Sequence, residues 1–399
     1  MLAALAAAIA TADWLPAQDG LVCSVRTIDG RAIDGRVRID EGGRVTVAAA
    51  GGAGSSLELG DLLSLDCSGT ARPGPAWDGG AVFLRSGAEI PFAALRAPAS
   101  GSAIGIELPC KAAIEIAIGM IAAIRPCAAG EAPPSFRECL ENPAETSDLL
   151  YVERDGKTQR FPVRISSFDG ANLHFSLRDR EYDVGLDRVR GVVFGRSSGF
   201  APDRQPRPRA LVSMTTGERL EGCIRRLDSI CRLSLDEGAL VDLPAQGILR
   251  IDVQSDKVAW LSEMRGSVEQ VPAFDRTWPI TFDRTPFGGG IVLGGKTHER
   301  GICMIPRARI TYDLGGRYDW FDAVIGIDDR GGPDANAVFR VFADGRMIHE
   351  SQGVTLSTKP LPLRLALGRC KTLAIETDFG ADFDLGDLCV FADARVIRN

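Results

Sequence analysis

The chain has 399 residues, 45% of them hydrophobic and 25% charged, an ordinary globular balance with enough apolar material for more than one core. Its formal net charge of −7, with no long basic block, excludes a protein held to nucleic acid or an anionic membrane by bulk electrostatics. Gly is abundant at 45 residues and His scarce at 3, which favours short strands and turns and leaves little material for His-based catalysis.

The chain opens on an Ala- and Leu-rich run from Met1 to Ala17, with small-residue cleavage patterns at Ala10-Thr11-Ala12 and at Ala17. Residues 1–17 read as a signal peptide without a basic leading segment, and export to the periplasm or the cell exterior is expected. The run is shorter than the ~20 residues of a membrane-spanning helix, so no spanning segment is expected. None of the ten Cys lies in a Cys-x-x-Cys pair, which leaves zinc-ribbon chemistry without support. Several fall two by two in the segments below, a pattern open to local disulfides or to buried thiols acting as small hydrophobes.

Four segments then share one grammar: a β-rich run, a Gly-containing turn, further β runs, and a closing apolar strand. They cover 20–70, 78–127, 147–195 and 209–253, with turn glycines at 30, 87, 156 and 217. Asp-Gly and Thr-Gly between alternating runs are hairpin signals, because Gly accepts the positive φ that tight hairpins need. Segments one and four repeat a second glycine, at Gly35 and Gly222. The closing strands include Leu62-Leu63-Ser64-Leu65, Ile121-Ala122-Ala123-Ile124, Val189 to Val193 and Ile248-Leu249-Arg250-Ile251. The pattern resembles small Sm-like or SH3-like barrels, expected to act as spacers or protein contacts. Ala128 to Ser147, with Pro133-Pro134, and Arg196 to Arg209 read as linkers without strand or helix period.

From Asp256 the strand-like runs lengthen and aromatics appear. Gly294 to Gly301, Tyr312-Asp313-Leu314, Ile325 to Asp329, Phe339 to Gly345, and Gly386-Asp387 to Val396 follow one another in order. Residues 256–399 thereby resemble the NPCBM family of carbohydrate-binding modules, the domain type associated with glycosyl hydrolase family 98. That resemblance implies a galactose-binding-like β-sandwich, or jelly roll, of the kind found in secreted glycosidases. Its combination with barrel-like repeats also resembles exported proteins of planctomycete-type bacteria. The chain departs from the family pattern at Cys303-Met304, Leu388 and Phe391, where the family carries polar or larger aromatic residues.

The fold class expected is therefore all-β: repeated small β-barrel units followed by a galactose-binding-like sandwich. Sugar recognition wants an aromatic platform flanked by planar polar groups. The candidates are Trp278, His298, Arg300, Trp320, Asp328 and Asp329. Asp382, Asp384 and Asp387 supply hard oxygen donors suited to a structural Ca²⁺. No Gly-x-Ser-x-Gly elbow, phosphate loop or His-Glu-x-x-His motif occurs. The expectation is a non-catalytic exported protein with a glycan or glycoconjugate, and other exported proteins, as partners. Two rivals stand beside it: a structural scaffold whose sugar site is lost, and an accessory part of a glycoside hydrolase system.

Overall fold

The computed structural model describes residues 20–49, 54–69, 74–98, 103–142, 147–195, 207–236, 238–271, 278–380 and 386–398. The signal-peptide reading of 1–17, most of the 196–209 linker, and Asp382 and Asp384 lie outside the described residues. The described chain is almost entirely β-structure, with a single α-helix. Among the described residues no helix is long and apolar enough to cross a membrane. The chain divides into two compact units, Met1–Ser255 and Asp256–Asn399.

In the first unit each of the four segments meanders through its strands and brings its closing strand back beside its opening one. Leu62–Asp66 pairs with Leu21–Thr27, Ile121–Arg125 with Gly80–Leu84, Val189–Val193 with Asp148–Arg154, and Ile248–Gln254 with Arg209–Met214. A short 3-10 turn precedes every closing strand, at Leu59–Asp61, Ile118–Met120, Leu186–Arg188 and Ala245–Gly247. The closing strands are largely buried, so the backbone groups on both of their edges need partners. They find it in one another: Leu62–Asp66 pairs with Ile248–Gln254, and Ile121–Arg125 with Val189–Val193. Segments one and four thus share a ten-stranded sheet, and segments two and three an eight-stranded one. In the ten-stranded sheet Leu227 also pairs with Ile39, which joins Arg219–Leu227 to Ala32–Ile39 and closes part of the path on itself, and one buried apolar core takes residues from all four segments, including Val25, Ile104, Leu150 and Leu233.

The turn glycines all have positive φ, from 73° at Gly156 to 93° at Gly87 and Gly217. Only Asp155-Gly156 is the expected two-residue turn, with both residues left-handed. Segments one, two and four use a longer turn, closed by bonds such as Leu84 N to Ala88 O and Gly87 N to Leu84 O. There the glycine takes the left-handed position that three-residue hairpin loops require. Gly35 and Gly222 meet a different demand. A Cβ on either would lie 2.6 Å from Ala48 O or 2.5 Å from Ser234 O, so the neighbouring strand can approach only glycine.

The first linker reading is corrected. Pro134–Glu141 is an α-helix with Pro at its first turn, where the missing N–H costs nothing. Phe136 anchors it, buried between Phe83 (ring centroids 5.9 Å apart) and Tyr151 (6.0 Å). Tertiary packing rather than sequence period holds so short a helix. Both cysteine readings find examples: Cys23 and Cys67 form a disulfide across the opening and closing strands of segment one, whereas Cys303 and Cys389 are fully buried thiols.

The second unit is a two-sheet sandwich. One sheet runs Thr281–Phe282, Gly301–Met304, Cys389–Ile397, Trp320–Ile327, Leu361–Ala366, with Val258–Trp260 also paired to Cys389–Ile397. The other runs Gly266–Gln270, Ala308–Asp313, Thr372–Phe379, Asn336–Ala343, Arg346–Thr355. Alternate residues of both, among them Phe321, Ile325, Phe391, Tyr312 and Phe339, form the shared core. The departures from the family pattern sit in this interior: Cys303, Met304 and Phe391 are fully buried and Leu388 nearly so. Their apolar character follows from that burial and does not bear on a surface site.

Candidate functional site

Strand alternation fixes what the outer face of the first sheet presents. In Trp320-Phe321-Asp322-Ala323, Phe321 and Ala323 enter the core, so Trp320 and Asp322 face outward. Register then sets Asp322 between Arg364 on one neighbouring strand and Arg395 on the other, and Trp260 beside Arg395. Four side chains from four adjacent strands therefore stand in one row, with Trp320 next to it.

The row is continuous in its contacts. Asp322 Oδ2 accepts from Arg395 Nη2 at 2.9 Å and from Arg364 Nη1 at 3.1 Å. The Arg364 guanidinium lies over the Trp320 ring at 5.1 Å, and those of Arg395 and Arg300 over Trp260 at 5.6 and 4.9 Å. Arg300 is further bonded to Glu263. Two half-exposed indoles thus bracket a planar Arg–Asp–Arg group.

The electrostatics of the pair are those of a desolvated ion pair. Burial raises the Asp322 carboxyl above its ordinary range, against the pull of Arg395 and Arg364. Burial likewise lowers the Arg395 guanidinium, against Asp322 and Asp393. Both guanidinia share one carboxylate oxygen. The other, Asp322 Oδ1, is buried without a hydrogen-bond partner, as is Arg395 Nε. Orphans of this kind cost about 1–3 kcal/mol each.

The remaining candidates from the sequence do other work. Asp328 is fully buried; its Oδ2 accepts Val292 N at 2.8 Å and its Oδ1 accepts Arg330 Nε at 2.8 Å. Asp329 accepts the amides of Gly294 and Gly295, both at 2.7 Å. The acidic pair thereby fastens the hairpin of Ile291–Leu293 and Lys296–His298 to the sandwich. His298 is buried on that hairpin, its Nδ1 2.8 Å from Asp393 Oδ2. Trp278 is half-buried, edge-on to the exposed Phe287 at 5.6 Å. Of the six candidates, only Arg300 and Trp320 belong to the row. Asp387 is buried and accepts Asn336 N at 2.7 Å, and among the described residues no cluster of His, Cys, Asp or Glu could hold a metal.

Sequence reasoning missed Trp260, Asp322, Arg364 and Arg395. The one available signal was Asp322, a carboxylate inside an otherwise apolar strand run.

The outer face of the second sheet differs. Glu269, Arg309, Glu376, Arg340 and Glu350 follow one another across its five strands in register. Arg309 and Arg340 bond Glu376 at 3.1 and 2.9 Å, and Arg340 bonds Glu350 at 2.7 Å. Its alternating charges are matched to one another, which is the behaviour of a solvated face.

Residues 255–397 match the family model described as the NPCBM/NEW2 domain, and the resemblance read from the sequence stands over that stretch. No curated protein matches the chain. Among solved structures, a CBM51 module from Clostridium perfringens GH95, in complex with methyl-galactose, is 25% identical over 35% of this chain and 99% of its own, with a TM-score of 0.32. A CBM51-2 module with INT domains from Clostridium perfringens ZmpB, in complex with GlcNAc, is 20% identical over 42% of this chain and 36% of its own, with a TM-score of 0.32. Tandem CBM51 modules of a family 98 glycoside hydrolase from Streptococcus pneumoniae are 13% identical over 80% of this chain and 88% of their own, with a TM-score of 0.32.

Proposed function

We propose that the second unit binds carbohydrate on the face bracketed by Trp260 and Trp320, and that the protein is a non-catalytic, exported glycan-binding protein. The observation that carries this reading is the Trp–Arg–Asp–Arg row, in which flat apolar surfaces stand beside planar hydrogen-bonding groups. A pyranose ring offers the matching pair of surfaces, an apolar C–H face and a rim of hydroxyls. The NPCBM/NEW2 match over the same stretch supports it. The first unit is read as a spacer or contact surface, since its chain is spent on shared sheets and one common core.

Binding of the full chain to immobilised glycans tests the reading. Trp320→Ala and Trp260→Ala should each weaken binding about tenfold or more, in line with ~1–3 kcal/mol for an aromatic stacking surface. Because both indoles lie outside the core, melting temperature should change little. Binding unchanged in both variants would place the sugar elsewhere.

A further inference from the structure

The row contains one feature that its internal contacts do not explain. Two guanidinia converge on Asp322 Oδ2, and none serves Oδ1. The Asp322 side chain is only 7% exposed, and its vacant oxygen is an acceptor in want of a donor. Arg395, on the adjacent strand and bonded to that same carboxylate, leaves its Nε–H without an acceptor. One buried acceptor and one buried donor are thus left over on the two bonded side chains.

A hydroxyl is the group that answers both, because it donates one hydrogen bond while accepting others. A ligand carboxylate or sulfate could accept from Arg395 Nε but has no hydrogen for Oδ1, and would set its charge against Asp322. We infer that the Asp322–Arg395 pair reads a hydroxyl of a neutral sugar, and that the site rejects uronic acids and sulfated sugars despite its three arginines. The inference rests on the proposed glycan site and specifies what that site selects. Both orphan atoms are closed to solvent in the free protein, so the sugar must displace part of their cover. Arg364 is 31% exposed and its guanidinium lies over the Trp320 ring, so the sugar approaches along that edge. Selection then accompanies ring stacking: the indoles supply affinity for any pyranose, and the carboxylate decides which one remains.

Calorimetric titration of the full chain with two series tests this. The first compares methyl galactoside and N-acetylglucosamine with galacturonate, glucuronate and a sulfated galactose. The second takes the best neutral sugar through its single deoxy derivatives. Neutral sugars should bind at least tenfold more tightly than the acidic ones, and one deoxy position should lose tenfold or more while the others stay within threefold. Asp322→Asn turns an amide N–H₂ toward the sugar in place of Oδ1, so its preference for neutral over acidic sugars should shrink or reverse. Acidic sugars binding as well as neutral ones, or a deoxy series that is flat throughout, would overturn the inference while leaving the glycan site standing. No binding by any sugar, with the chain folded by circular dichroism, would overturn the glycan site and the inference together. Should Asp322→Asn fail to fold, the two series on the unsubstituted chain decide the matter alone.

Discussion

His298 and Asp393 are hydrogen-bonded partners, and the bond has a readable consequence. Burial by itself would raise the Asp393 carboxyl, but the hydrogen bond and charge of His298, with help from Arg395 and Lys296, hold it below its usual 3.8. A carboxyl lowered on folding stabilises the protein above its unfolded pKa, and that contribution is lost as pH falls through the lowered value. His298→Ala should therefore destabilise the second unit by about 1.5–3 kcal/mol near neutral pH, the worth of a hydrogen bond to a charged group. The gap between variant and parent should narrow as pH drops below 3.8. Urea unfolding of both proteins at pH 7 and at pH 3 measures it, and a gap that widens in acid would contradict the assignment. The two tryptophans of the row belong at this scale as well, since each is expected to move binding without moving stability.

At the scale of elements, Asp329 and the short helix carry the clearest expectations. Asp329 holds the amides of Gly294 and Gly295 at the tip of one hairpin, so Asp329→Ala should loosen that hairpin at a cost of about 1–3 kcal/mol. Amide exchange in Ile291–His298 should rise while the sandwich core stays protected. Phe136→Ala should cost about 3–5 kcal/mol and release Pro134–Glu141, seen as a lower melting temperature and cleavage within 134–141 under limited proteolysis. Legibility in the sequence divides along the same line. The glycines at 30, 87, 156 and 217 were readable because positive φ is a local demand that few residues meet. The helix was not, because Pro133-Pro134 reads as a breaker and the anchor of Phe136 comes from other strands. Trp320 and Arg300 could be singled out by residue type. Asp322 could not be joined to Arg364 and Arg395, which lie 42 and 73 residues away and meet it only through strand register. That Asp328 and Asp329 fasten a hairpin was not legible either, because its amides at Val292, Gly294 and Gly295 lie more than thirty residues away from them.

For the whole molecule, the repetition visible in the first unit expresses itself as shared sheets rather than as beads on a string. Segments one and four, far apart in sequence, pair through their closing strands, and a common core follows from that. The one disulfide lies in segment one and closes a separation of 44 residues, which at ordinary loop entropy contributes about 2–4 kcal/mol. Cys23→Ser should therefore lower the melting temperature of the first unit as a cooperative whole, with sugar binding by the second unit retained. Melting of the parent protein in a reducing buffer gives the matching control.

The face that carries Trp260 and Trp320 is the proposed sugar site, and its indoles report on it directly. The protein has five tryptophans, whose indole N–H signals can be assigned one by one through Trp→Phe variants and followed in a ¹H–¹⁵N spectrum of the full chain. On titration with methyl galactoside or N-acetylglucosamine, the signals of Trp260 and Trp320 should shift together and saturate, while that of Trp77 in the first unit stays fixed. Saturating shifts at other tryptophans with Trp260 and Trp320 unmoved, or no shift at any of the five, would contradict the account.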